Sequence, residues 1–128
     1  IAPFVNLGLV PECGSSKLLV DLIGERRSAE IFLLGKPVSG ARAVELGIAN
    51  EAVDSETLEA KAFSVALTLS EKSPTALRLS KELLRPRAEI LETIAKENAH
   101  IKTQIKSPET IEAISAVLEK RKPDFSKF

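Results

Sequence analysis

Methionine, tryptophan and tyrosine are missing from this 128-residue chain, and cysteine and histidine occur once each. The single cysteine, Cys13, excludes an internal disulfide and a cysteine-rich metal site, and no metal ligand set is read from the rest. Phe alone supplies the aromatic 4%, which argues against the stacking platforms that grip single-stranded nucleic acid. Charge of one sign is missing too. Lys+Arg and Asp+Glu both number 18, so the basic excess of a nucleic-acid binder is absent. Uninterrupted apolar runs are a few residues long, far from the roughly 20 that span a bilayer. No charged segment leads into an apolar stretch, so there is no signal-peptide pattern and secretion is not expected.

What remains is the balance of a globular domain: 44% apolar and 28% charged residues with no net charge. The length suits one domain with a modest core. The opening Ile1-Ala2-Pro3-Phe4-Val5 reads like the middle of a strand. It lacks strand partners in this sequence, so the expectation is the rear part of a larger fold. The tail Ser126-Lys127-Phe128 approaches the peroxisomal Ser-Lys-Leu address but ends in the wrong residue.

Along the chain, residues 1–11 are apolar and punctuated by Pro3, Gly8 and Pro11, which predicts a short strand and a tight loop. Gly14-Ser15-Ser16 opens a helix with Leu18, Leu19, Leu22 and Ile23 as its stripe and Gly24 as its stop. Ser28 to Leu34 reads as a second helix, with Ala29, Phe32 and Leu33 inward and Gly35 ending it. Ser39 can cap a third, with Ala43 and Leu46 inward, and Ile48 to Val53 is a candidate strand. From Asp54 onward the pattern is helical, with Leu58, Ala62, Val65 and Leu69 at helical spacing. Ser73-Pro74 and Ser107-Pro108 each pair an N-cap serine with a proline at the first helical position. Ile90, Ile94, Ile101 and Ile105 fall on one side of the long segment between, and the last helix carries Ile111, Ile114, Val117 and Leu118.

Five segments in this order resemble the rear half of the crotonase superfamily, the enoyl-CoA hydratases and isomerases. Leu7-Gly8-Leu9-Val10-Pro11 is similar to the family's "LGLxP" loop, and Gly24 through Gly35 to its "G…A.E.lLtG" segment. Ser39 through Asn50 resembles "sA.eA..lGLVn", Ser73-Pro74-Thr75-Ala76-Leu77 with Lys81 resembles "sP.al...K", and Glu119 through Phe125 resembles "EKRkPdF". The resemblance implies the α-rich rear half of an α/β fold, a spiral of ββα units followed by a C-terminal helical domain. Residues 1–72 would belong to the spiral core. Residues 73–128 would form the helical domain that covers the active site and joins trimers or dimers of trimers. It further implies an acyl-CoA thioester as substrate, a place in fatty-acid β-oxidation, no cofactor beyond the coenzyme A of that substrate, and no nucleic-acid or membrane partner. The compartment would be the cytoplasm of a bacterium, or the peroxisome or mitochondrion of a eukaryote. Two backbone N–H groups of the family's front half hold the thioester oxygen, so the 128 residues alone are expected to be inactive.

Hydratases of this family use two glutamates. The one that follows a Pro four residues before the Gly of "LGLxP" is replaced here by Phe4, which has no way to activate water. Glu12, directly after Pro11, resembles instead the single glutamate of peroxisomal-type Δ3,Δ2-enoyl-CoA isomerases, whose loop reads "LGLxPEgxSS". One carboxylate suits that chemistry: it removes a proton at C2 of the enoyl thioester and redelivers it at C4. Phe4, Leu9, Val10 and Pro11 would line the acyl chain and exclude water. By residue type alone Glu12 is equally an acid complementing the dipole of the following helix. Lys120 matches the family lysine that reaches the CoA nucleotide, and by residue type is a cation at a helix C-terminus. The Phe that accompanies that lysine in the family is Val117 here. Cys13 reads as a small structural residue, because His100, the lone histidine, sits far away in a polar helical stretch. Three readings follow: a Δ3,Δ2-enoyl-CoA isomerase, a hydratase or other crotonase reaction, and a non-catalytic module that binds CoA or protein.

Overall fold

The computed structural model describes residues 1–84 and 87–128. Seven α-helices follow one another among them: α1 (Ser15–Ile23), α2 (Glu25–Leu34), α3 (Gly40–Glu45), α4 (Ser55–Ser70), α5 (Pro74–Leu83), α6 (Arg87–Gln104) and α7 (Pro108–Leu118). Short 3-10 turns cover Val5–Leu7 and Phe125–Lys127. The chain is the helical half of the expected α/β fold, and no strand occurs among the described residues.

The apolar opening is therefore not a strand. Pro3 leads into a tight turn in which the Leu7 and Leu9 N–H groups both donate to the Phe4 carbonyl, at 3.0 and 2.8 Å. Gly8 closes the turn in the left-handed region at φ +67°. With no neighbouring strand to take its N–H and C=O groups, the backbone satisfies them locally. The segment 48–53 is not a strand either: Ile48 and Ala49 both donate to the Ala43 carbonyl and wrap the end of α3.

Helix boundaries follow local chemistry. Ser39, Ser73 and Ser107 cap α3, α5 and α7, their hydroxyls accepting from the N–H of Arg42, Ala76 and Thr110. Gly24 and Gly35 end α1 and α2. Within 73–128, α5, α6 and α7 run as far as Leu118, residues 119–124 are turn and coil, and positions 85–86 lie outside the described residues.

The small core sits where α1, α2 and the Val5–Leu7 turn meet, with α6 laid on α1 and α7 on the turn. Ile23, Phe32 and Leu46 are its buried large apolar residues, and the Phe4 and Phe32 rings pack at 6.2 Å. Several residues expected inward face outward, among them Leu18, Leu22 and Leu33. In α7 the buried face is the small one, Thr110, Ala113 and Ala116, while Ile111, Ile114, Val117 and Leu118 are exposed. The reason is Gly8. A Cβ there would meet the Thr110 nitrogen at 2.9 Å, so α7 comes too close to the turn for large side chains to lie between. α4 is exposed along its whole length, Leu58, Phe63, Val65 and Leu69 included.

Candidate functional site

Glu12 lies between Pro11 and two consecutive residues in the left-handed region, Cys13 at φ +61° and Gly14 at φ +76°. Such backbone is costly for a residue with a side chain, about 1–2 kcal/mol, and persists only when the surroundings impose it. Here they do. The Glu97 carboxylate, buried on α6, accepts from the Gly14 N–H at 2.6 Å, the Ser16 N–H at 3.0 Å and the Ser16 hydroxyl at 2.6 Å. The Ser15 N–H donates to the Glu12 carbonyl at 3.0 Å. Gly14 has no side chain to cap α1, and Glu97 supplies the missing acceptor from across the fold. Lys17 adds a second tie, its ammonium 2.9 Å from Asp21 and 3.0 Å from Glu89 of α6, with the Asp21 hydrogen bond and then that of Glu89 raising its pKa.

With Glu97 filling the place at the α1 N-terminus, Glu12 is left without a structural task. It is exposed, and its carboxylate enters no hydrogen bond or ion pair among the described residues. Its neighbour Cys13, with Phe4, Ser15, Leu19, Phe32 and others, lines an apolar cavity of about 530 Å³ between α1, α2 and α3, and Glu12 itself is not part of that lining. That volume is in the range that holds small ligands. Ser15 Oγ is buried at its wall with no partner, the one polar side-chain atom so placed among the described residues.

The other expected site residues are dispersed. Phe4 lines this cavity. Leu9 lines a different one of about 330 Å³, shared with Gln104, Glu109 and Phe125, while Val10 and Pro11 are half-buried and line neither. Lys120 is exposed beyond α7 at φ +54°. The Arg121 N–H donates to the Ala116 carbonyl and the Lys120 N–H to that of Val117, so the backbone ties up the helix end and the ammonium is not needed there. No hydrogen bond or ion pair among the described residues joins Lys120 to Glu12. His100 is exposed. Glu97 is the residue that sequence reasoning missed. It stands in a run of polar helical residues, and nothing local marks it as buried.

The lower end of α7 is held by a separate cluster. Arg121 forks onto both oxygens of Glu112, which also accepts from the Asp124 N–H at 2.9 Å. These donors, Arg121 foremost and the Asp124 N–H next, hold the Glu112 carboxyl down to about 2. No group of three or more His, Cys, Asp or Glu among the described residues is arranged to hold a metal, and no described helix is long and apolar enough to cross a membrane.

The sequence and the fold of the chain match one group of known proteins. The sequence profile of the enoyl-CoA hydratase/isomerase family covers residues 1–127, and the chain belongs to that family. A probable enoyl-CoA hydratase of Bacillus subtilis (strain 168) is 32% identical over 96% of this chain and 49% of its own length. The peroxisomal enoyl-CoA delta isomerase 3 of Mus musculus is 32% identical over 65% of this chain and 26% of its own. The crystal structure of an enoyl-CoA hydratase/isomerase from Pseudoalteromonas atlantica T6c superposes with a TM-score of 0.91 at 29% identity, covering 97% of this chain and 51% of that one. The chain spans about half the length of the curated relatives it matches over its whole extent.

Proposed function

We propose that this chain carries the base of a Δ3,Δ2-enoyl-CoA isomerase. Glu12 takes a proton from C2 of a 3-enoyl-CoA and returns it to C4, with the double bond moving between them through a dienolate. The observation that carries the reading is the division of labour between two glutamates. Glu97 caps α1, and Glu12, two residues before that helix's cap, is left unengaged one residue from Cys13 in the lining of an apolar cavity. A carboxylate with no structural partner is the residue type a general base needs. Phe4, at the place of the hydratases' rear glutamate, supports isomerisation over hydration, because it brings no carboxylate to hold water. A delta isomerase stands among the relatives, 32% identical over 65% of this chain, beside a hydratase of the same identity over 96% of it.

The remaining parts of the proposal rest on the family. The thioester oxygen is held by N–H groups of the family's front half, and Lys120, exposed and free of helix-capping duty, meets the CoA phosphates. Nothing in this chemistry calls for a metal or a redox group. Assembly into trimers is part of the same reading, supported by the exposed apolar residues Leu58, Phe63 and Val65 of α4. A hydratase remains the second reading, because a relative bearing that name matches nearly the whole chain.

Isotope transfer tests the single-base step. A 3-enoyl-CoA deuterated at C2 should deliver part of its label to C4 of the product if one carboxylate does both transfers. Complete washout to solvent, together with rapid hydration of a 2-enoyl-CoA, would favour the two-carboxylate reading.

A further inference from the structure

The loop that carries Glu12 is gripped at both ends by the C-terminal helices. At its start the Thr110 hydroxyl of α7 donates to the Gly8 carbonyl at 3.0 Å. At its end Glu97 of α6 takes the three donors of Gly14 and Ser16. Between these anchors stand four residues, Leu9 to Glu12, and the left-handed Cys13. The hinge formed by Cys13 and Gly14 would relax if the donors were released, and Glu12 would turn with it. A buried carboxylate is expensive to keep without full compensation, and each oxygen of Glu97 is used here. Its donors are two backbone N–H groups and a hydroxyl, none of them cationic.

We propose that Glu97 is the positioning residue for Glu12: its carboxylate locks the Cys13–Gly14 hinge and so fixes the backbone that carries the base. Glu97 touches no substrate in this proposal and acts only through the backbone that it holds. The inference rests on Glu12 being the base, as proposed above. It adds that the C-terminal helical segment sets the base's geometry.

Glu97→Gln is the informative substitution. The amide keeps the size but accepts at one oxygen only, and whichever way it is turned its NH2 opposes the N–H of Gly14 or of Ser16. The variant is made in the protein that carries this chain behind the family's front half, alongside Ser16→Ala, which removes one of the three donors, and Glu12→Gln. Two readouts are taken. Hydrogen exchange at the Gly14 and Ser16 amides reports the lock itself, and kcat with KM for 3-enoyl-CoA isomerisation reports the base. In Glu97→Gln both amides should exchange at least tenfold faster while Ala113 and Ala116 in α7 keep their protection. The kcat should fall tenfold or more with KM within about twofold of wild type. Ser16→Ala should show the same pattern more weakly, and it supplies the answer if Glu97→Gln fails to fold.

A purely structural Glu97 would speed exchange everywhere and leave kcat per folded molecule unchanged. That result, or undisturbed Gly14 and Ser16 amides, overturns the proposal while Glu12→Gln still abolishes activity. Full activity in Glu12→Gln instead removes the base reading itself, and the positioning proposal falls with it.

Discussion

Glu97, in the middle of α6, accepts a 2.6 Å hydrogen bond from the N–H of Gly14, 83 residues earlier at the start of α1. Helix N-termini usually take their acceptor from the residue that begins them. Here a glycine begins the helix and the acceptor arrives from another element, so the α1 N-terminus exists in this form only when α6 is docked. That dependence ties the local geometry of Glu12 to the packing of the C-terminal helices.

The same dependence holds at the other end of the loop. Thr110 is fully buried and donates to the Gly8 carbonyl, while Gly8 sits at φ +67° with its missing Cβ against the Thr110 nitrogen. Thr110→Val keeps the shape and orphans that carbonyl, at a cost of about 1–2 kcal/mol. Gly8→Ala adds left-handed strain to a backbone clash and should cost about 2 kcal/mol or more. Urea unfolding of each variant measures this. Losses under about 0.5 kcal/mol would mean that α7 does not press on the turn as described.

Much of the helical layout was legible because its signals are local. Ser39, Ser73 and Ser107 each bond an N–H three residues on, and Gly24 and Gly35 end their helices where the apolar stripe stops. The opening segment misled for a physical reason: an apolar run with Pro and Gly has no period, and only pairing partners make it a strand. Inward faces misled for another. A lone sequence shows which side of α7 is apolar, but the close approach at Gly8 turns its small residues inward and its large ones out. The Glu12 loop was found through its motif. Its clamp was not, because Glu97 and its donors are separated by more than eighty residues and neither end announces the other.

The fork between Arg121 and Glu112 gives the α7 end a pH signature. The Glu112 carboxyl is held down to about 2 in the folded protein, against an ordinary value of 4.5. A carboxyl lowered on folding stabilises the fold fully above its unfolded value, and that contribution is lost as pH falls from about 4.5 towards 2. Glu112→Gln should therefore lower Tm at pH 7, and the gap to wild type should narrow steadily between pH 4.5 and pH 2. Salt should narrow it too, because Arg121 is partly in water. A Tm gap that is constant from pH 7 to pH 2 would show that packing, not charge, is what Glu112 supplies.

Lys120 offers a binding test. Its N–H, not its ammonium, serves the end of α7, so Lys120→Ala should leave stability nearly unchanged. Behind the family's front half, the variant should bind acyl-CoA more weakly by about 1 kcal/mol at low salt, the scale of an exposed charge-assisted contact. The difference should shrink at high salt, where screening weakens the wild-type contact first. Titration calorimetry at two salt concentrations reads both effects, and equal affinities at low salt would remove Lys120 from the CoA site.

The central claim is that Glu12 moves the proton and Glu97 does not, and the kcat of Glu12→Gln on a 3-enoyl-CoA tests it most directly. Gln keeps the size of the side chain and removes its basicity. The account predicts an unchanged Tm, an unchanged affinity for acyl-CoA and a kcat lowered by about 100-fold or more, the usual scale for a positioned general base. Hydration of a 2-enoyl-CoA, assayed beside it, should already be weak in the wild-type protein. Isomerisation by Glu12→Gln at the wild-type rate would contradict the account.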